Sequence, residues 1–536
     1  MTSHAAKLQR ETGSRASLSP QLNIYEAFSR VAMREHALGA LCAVAATAAL
    51  LMPAIVNGYP FIFADTGTYL FSAMRLQVPH DRPVFYSIFA ALLHWRLSPW
   101  PIVIAQSALV AILIRLVAKA VFNIASPWVT PIAAIALVFG SSLPWFSGQI
   151  VPDIFTSVLM LALLLIVFGW GRMTLAERWF ALCMVPVCVA VHNANLFVPL
   201  SVLPAIGILL LVGWRPGPQA ARRTLWVASG VVLALAALLS SNYAARGKLV
   251  LSSASSTLLF AKMLEDGPAM AVLEHECPAT YPLLCSQLPL LQAHKAAGIE
   301  PTLADFFLWE GPLDNLGWWK PVEPETSQVV KKAFAQFWRQ EIPTSLANGA
   351  RQFWHFRTGD GLVSDPGVWA TDSIRDLFGE TSLAAYRASL QGKGELQLSL
   401  LNVIHLVTLA VSSGVLAWAA IASFWSDRKA LHVAAFILAM LAGHAMAIGA
   451  LTPLHDRYQS RVVWLVPLLA ALTLCRLAFK ATPKRRPIAQ QRSTHVDCAA
   501  SDDSETLTPT ALTSQKEYLL GVMRRCAAFR RRSFAT

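Results

Sequence analysis

The sequence predicts an all-α polytopic membrane protein: about ten transmembrane helices, with a small helical extracytoplasmic domain inserted between spans seven and eight. Three observations carry that prediction. Hydrophobic residues make up 55% of the 536-residue chain and charged residues only 14%, whereas roughly a quarter of the residues in soluble domains are charged. Apolar stretches of about 17 to 25 residues, long enough to cross a hydrocarbon core about 30 Å thick, recur along the chain. The net charge of +13 is unevenly spread, gathering in short segments on one side of the expected spans.

Residues 1–36 carry Lys7, Arg10, Arg15, Arg30 and Arg34 ahead of the first apolar run. That run ends at Pro53 and Asn57-Gly58 without a small-residue cleavage site, so it reads as a retained first span behind a cytoplasmic segment. Spans are expected near 37–57, 100–121, 127–144, 153–171, 179–193, 195–213, 224–242, 398–424, 431–450 and 462–479. Spans one to seven form an N-terminal module, 37–242, and spans eight to ten a C-terminal one, 396–480. Only His192-Asn-Ala-Asn195 separates the fifth and sixth, and a tight turn at one surface is the simplest account of so polar a tetrapeptide.

Arg115 and Lys119, Arg172 and Arg178, Arg215, Arg222 and Arg223, and Arg428 and Lys429 fall in the segments this order places inside. The long loop 243–395 instead holds seventeen acidic against thirteen basic residues. The positive excess is therefore topological, both termini are cytoplasmic, and nucleic acid loses its motive as a partner. From about 481 the chain turns polar and basic, and it ends in an amphipathic patch, Tyr518 to Arg532, suited to anionic lipid.

In the first outer loop, 58–99, two short helices are expected at the interface. One runs from Thr66 to Arg75 behind Asp65 as N-cap, and one lies within Arg82 to Trp95 with Tyr86 and Trp95 as interfacial aromatics. In the extracytoplasmic domain, 243–395, Val330, Phe334, Phe337 or Trp338 and Ile342 recur at helical spacing. Trp309, Trp318, Trp319, Trp338, Trp354 and Trp369 suit packing on membrane or carbohydrate. Cys277 and Cys285 sit eight apart in a Pro-punctuated turn outside the cytoplasm and are expected as a disulfide. With only His275 nearby, zinc is not expected there. Cys42, Cys183, Cys188, Cys475, Cys498 and Cys526 are expected unpaired.

Four carboxylates fall at outer span ends: Asp65, Asp81, Asp153 and Asp456. Ionisable groups near membrane depth default to functional candidates, with helix capping as the plain alternative. That alternative is strongest for Pro152-Asp153, a common helix opening, and Arg457 has its own plain reading as a snorkelling anchor.

The order of these parts resembles the GT-C superfamily of integral-membrane glycosyltransferases, the class of protein mannosyltransferases and aminoarabinose transferases. The matching pieces are Ala64-Asp-Thr-Gly-Thr-Tyr69 in the first outer loop, Arg82-Pro-Val-Phe-Tyr86, Pro152-Asp153 opening the fourth span, the large outer insertion, and Asp456-Arg-Tyr458 before a last span containing Pro467. Two pieces depart from the pattern. A second acid beside Asp65 is replaced by Thr66, and a lysine near spans five and six by His192 and Asn193.

The resemblance implies an inverting transfer of a sugar from a polyprenyl-phosphate donor to a glycan, lipid or protein acceptor. Asp65 and Asp153 would be catalytic, with Asp65 as base, and Arg457, Arg82, Arg75, Tyr69, His192 and Asn193 would hold the donor and its phosphate. No metal ligand set is implied and no cofactor is required, a divalent cation being left open. The setting expected is a bacterial inner membrane. A transporter or flippase for a lipid or glycan is the alternative function, but such proteins tend to carry internal repeats and polar breaks at mid-span, which this chain lacks.

Overall fold

The computed structural model describes residues 20–363, 365–422 and 428–481. The expectations for 1–19 and for the basic tail beyond 481, with Cys498 and Cys526, lie outside the described residues. Among the described residues every named element is helical, and the one extended pairing is an isolated bridge between Phe61 and Gln149.

Among the described residues eight helices are long and apolar enough to cross a membrane: Ala37–Asn57, Trp100–Val121, Ile154–Arg172, Asn193–Leu211, Ala220–Arg246, Leu398–Ala422, Lys429–Leu451 and Arg457–Ala478. The protein is thus a multi-pass helical membrane protein. In chain order its first elements are α1 (Pro20–Asn57), α2 (Thr66–Phe71), α3 (Phe85–His94), α4 (Trp100–Leu116), α5 (Val129–Gly140), α6 (Leu143–Ser147), α7 (Ile154–Leu164), α8 (Leu175–Val191), α9 (Phe197–Leu211) and α10 (Ala220–Arg246).

The third and fifth of the ten expected spans are shorter helices. α5 has 12 residues and stops where Ser141 turns extended, the chain bending into α6. α8 has 17, opens on a Thr174–Glu177 capping box, and ends at the extended His192. The polar tetrapeptide is indeed a turn, a short 3₁₀ segment over Asn193–Leu196. Thr156 Oγ1 donates to Asn195 Oδ1 at 2.7 Å, and Asn195 Nδ2 donates to the Cys188 carbonyl at 2.7 Å, tying α7 and α8 to that turn.

The expected interfacial helices are present but differently seated. α2 covers only six residues, and Tyr86 of α3 is fully buried, donating to Gln106 Oε1 of α4 at 2.7 Å instead of lying at an interface. Burying a phenol in an apolar bundle demands such a partner, and Gln106 supplies it. Trp95 remains 72% exposed, as an interfacial residue would be.

The insertion begins with α11 (Ser255–Asp266), α12 (Pro268–Glu276), α13 (Pro282–Ala297), α14 (Leu303–Trp309), α15 (Pro312–Asn315) and α16 (Trp319–Gln352). These share a core of their own around Phe260, Leu264, Leu273, Leu291, Phe307 and Val329. The Cys277–Cys285 disulfide joins the start of α13 to the end of α12. The helical periodicity at 330–342 falls inside the 34-residue α16, which bends at Phe337.

Beyond the bend α16 runs onto the bundle. A Cβ on Gly349 would lie 2.7 Å from Met446 Cα and one on Gly449 would lie 2.7 Å from Gly349 Cα, so only glycines allow this crossing. The rest of the insertion leaves its core: α17 (Gly367–Phe378) and α18 (Glu380–Ala388) pack on the first loop, and Ile374, Leu377, Leu383 and Tyr386 join the core of the bundle. Helices α19 (Leu398–Ala422), α20 (Lys429–Leu451), α21 (Arg457–Val463) and α22 (Leu465–Ala481) complete the chain.

Basic residues gather at the end of the bundle remote from Asp65. Arg223 donates to the Ile166 and Val167 carbonyls at 2.9 and 3.1 Å, Lys119 pairs with Glu177 at 2.7 Å, and Arg178 lies over Trp170.

Candidate functional site

The segment carrying Asp65 is held by backbone pairing before any charge is considered. Phe61 N–H donates to the Gly148 carbonyl and Ile150 N–H to the Phe61 carbonyl, both at 2.9 Å, and Thr66 Oγ1 donates to the Ile150 carbonyl at 3.1 Å. Gln391 closes the loop from the other side, exchanging hydrogen bonds with Ile62 N–H and C=O at 3.0 and 2.8 Å. Pairing backbone groups in this way lowers the cost of burying the loop. The stitching brings Asp65 beside Asp153, which lies 88 residues further along the chain.

Asp153 is completely buried at the start of α7. Its Oδ1 takes Arg461 Nη1 at 2.7 Å and its Oδ2 takes Arg457 Nη2 at 2.8 Å. Neither it nor Asp65 makes a side-chain capping bond, so the helix-capping reading fails for both. Arg461 is fully buried and its Nη2 faces His444 Nε2 at 3.1 Å. The Arg457 guanidinium lies 3.9 Å from the Phe63 ring centroid and keeps 14% side-chain exposure, so it is anchored within the bundle and does not snorkel to its surface. His192 accepts from Ala194 N–H through Nδ1 at 3.2 Å, which leaves Nε2 toward Asp153 Oδ1, 3.6 Å away.

Asp65 Oδ1 lies 2.7 Å from Arg82 Nη1, and Arg82 also holds Asp81 through Nε at 3.0 Å. The Asp65 side chain is 27% exposed, and among the described residues no hydrogen bond reaches its Oδ2. Tyr69 sits beneath Arg82, 5.3 Å from ring centroid to guanidinium, and packs edge-on against Tyr86. Burial pushes its phenol well above the ordinary range despite the Arg82 charge, so it stays protonated. Three carboxylates (Asp65, Asp81 and Asp153) thus face three guanidiniums (Arg82, Arg457 and Arg461).

A second ionic group borders the first and fastens the insertion to it. His455, between α20 and α21, has Nε2 3.4 Å from Asp305 Oδ2 of α14 and Nδ1 3.5 Å from Asp360 Oδ2. Its backbone N–H and carbonyl pair with the Gln352 side chain at 3.1 and 2.8 Å. Burial opposes a charge on the imidazole, but the Asp305 and Asp360 carboxylates outweigh it and push the pKa up to about 11. Asp360 also accepts from Arg457 N–H at 3.2 Å, so the clamp and the buried cluster share a residue.

Asp65, Asp153, Arg457, Arg82, Tyr69 and His192 are therefore brought together. Arg75 is not: its guanidinium stacks over Phe71, 4.1 Å from the ring centroid, and lines a separate cavity. Asn193 stands at the turn beside His192 with its Oδ1 buried and unbonded among the described residues, while Asn195 makes the structural bonds there. Asp456 turns away from the cluster, accepting from Arg357 N–H at 3.2 Å.

Sequence reasoning missed Arg461, His444, Asp360 and His455. Arg461 had a usable signal, a second arginine one turn after Arg457 at the start of an apolar span, and His444 is an ionisable residue within a span. Asp360 and His455 had none, since their pairing joins positions 95 apart. Among the described residues no group of three or more His, Cys, Asp or Glu is arranged to hold a metal ion. No protein-family model, curated protein or solved structure matches this chain.

Proposed function

We propose that the protein is an inverting glycosyltransferase. It moves a sugar from a polyprenyl-phosphate donor to a lipid, glycan or protein acceptor at the membrane face bearing Asp65. The observation that carries this reading is the contrast between two neighbouring carboxylates: Asp153 is sealed with both oxygens on arginines, while Asp65 is 27% exposed with no hydrogen bond to its Oδ2 among the described residues. A base must reach its proton, and of these two carboxylates Asp65 is so placed.

In this reading the acceptor hydroxyl oxygen forms a bond to the anomeric carbon as its proton passes to Asp65 Oδ2. The anomeric carbon–phosphate oxygen bond breaks, and its electron pair leaves on the polyprenyl phosphate. Arg82 and Arg457, each slightly exposed at the same mouth, receive that developing charge. Asp153 becomes a positioning residue that aims Arg457. The positive-inside pattern supports a mouth outside the cytoplasm with both termini within it, and a bacterial inner membrane suits an extracytoplasmic disulfide.

Purified protein in lipid discs, supplied with a polyprenyl-phosphate sugar and an acceptor extract, is expected to release free polyprenyl phosphate. Asp65→Asn is expected to lower that release by about 10²- to 10⁴-fold. Wild-type activity in Asp65→Asn would overturn the assignment of the base, and no release from any donor of this class would overturn the reaction.

A further inference from the structure

A cavity of about 740 Å³ opens along a different face of α2 from the one that carries Tyr69. Thr68, Phe71, Ser72 and Arg75, at helical spacing, form one wall. Its charged lining is lopsided: Arg75, Arg246, Lys248 and Lys320 stand against one carboxylate, Glu323. Lys248 takes that carboxylate at 2.8 Å. Arg246 donates to Asn242 Oδ1 and the Val78 carbonyl, and Asp81 and Glu323 lie near enough to act on its charge without forming an ion pair with it. Among the described residues no carboxylate pairs with Arg75, Arg246 or Lys320.

The aromatic side of this cavity is built with equal care. Trp369 of α17 donates its indole N–H to Thr68 Oγ1 at 3.1 Å, and its ring lies 5.7 Å from that of Phe71. Gly67 makes the approach of α17 possible, because a Cβ there would lie 2.8 Å from the Trp369 ring and 2.6 Å from Ser373 Oγ. Arg75 covers the two rings, 4.1 Å from Phe71 and 5.5 Å from Trp369. Concave space, a fixed indole and an excess of cations from separate elements suit a sugar bearing negative charge. A flat film of lipid would not need the concavity.

We infer that this cavity binds the acceptor, through a phosphate or carboxylate carried on a sugar, and so selects anionic acceptors. The inference rests on the transferase reading, for it is α2 that links the cavity to the base. Thr68 is three residues beyond Asp65, about 5 Å along a helix axis. An acceptor held by its charge at Arg75 and Lys320 then lies along α2 with a hydroxyl at Asp65.

The test is made on binding, so that it does not depend on turnover. Full-length protein in discs of neutral phosphatidylcholine is dialysed against radiolabelled glucose 6-phosphate, glucuronate or glucose. The anionic sugars are expected to bind at least about tenfold tighter than glucose, and Arg75→Ala or Lys320→Ala each to weaken them by about tenfold. Arg75→Lys and Lys320→Arg should retain most of the binding, and Arg222→Ala at the far end of the bundle all of it. Equal binding of the three sugars, or wild-type binding by both alanine variants, would overturn the inference.

Repeating the titration with phosphatidylglycerol in the discs separates the sources of the charge. Competition that disappears in Arg75→Ala supports a lipid-borne acceptor, and no competition supports a glycan. Protein that binds anionic sugars yet releases no polyprenyl phosphate keeps this site and loses the transferase reading; protein that releases it but shows no preference for charge does the reverse.

Discussion

Asp65 and Asp153 look alike in the sequence, each a carboxylate just before an apolar helix, and their surroundings divide the work between them. Asp153 carries two arginines, one of them fully buried, so its charge is tied into the packing of the bundle. Removing one member of a buried ion cluster leaves the others uncompensated, which typically costs about 3–5 kcal/mol. Asp153→Asn is therefore expected to lower the thermal midpoint in detergent markedly, whereas Asp65→Asn, whose partner Arg82 retains Asp81, should leave it close to wild type. Equal midpoints for the two variants would remove the distinction. Arg457 was readable as a candidate because it stands at a span end. Its partner in a sealed pair was not, because one strand of text cannot say which acid a given arginine faces.

At the level of elements, the insertion is attached through α14, the bend of α16 and the short segment before α21, and His455 is the fastener. Its folded-state pKa is raised from 6.5 to about 11. The stabilisation it supplies is therefore complete below about pH 6.5 and fades as the pH climbs toward 11. Hydrogen exchange of α14 should accelerate across that alkaline window in wild type, and His455→Gln should show faster exchange already at neutral pH with a flatter profile. A wild-type profile that does not change over the window would rule the fastener out. Helix positions were largely legible from apolar length and helical spacing. The third span was overextended because apolar composition persists beyond the point where Ser141 turns extended, and the fifth was set a few residues late, since α8 already starts at Leu175 and stops where His192 turns extended.

For the whole molecule, the arrangement of ends is the testable matter. Acids, the insertion and the aromatic cavity lie at one end of α7, and the basic residues around Ile166 to Arg178 at the other. Leu76 and Leu175 are 94% and 68% exposed at these two ends. In a background without unpaired cysteines, a membrane-impermeant thiol reagent should label Leu76→Cys and Leu175→Cys from opposite sides of a sealed vesicle. Labelling of both from one side would break the proposed topology and the shared site with it.

The sequence by itself determined that the chain is helical and multi-pass, because apolar length and the exclusion of charge are properties of contiguous residues. It also marked Asp65, Arg82, Asp153 and Arg457 as candidates, since each interrupts or borders an apolar run. Only the tertiary structure decided which of them meet, which carboxylate stays partly exposed, and that Arg75 lines another cavity. Those outcomes depend on contacts across dozens to hundreds of residues, made by backbone pairing at Phe61 and helix crossings at Gly67 and Gly349, and no local pattern records them.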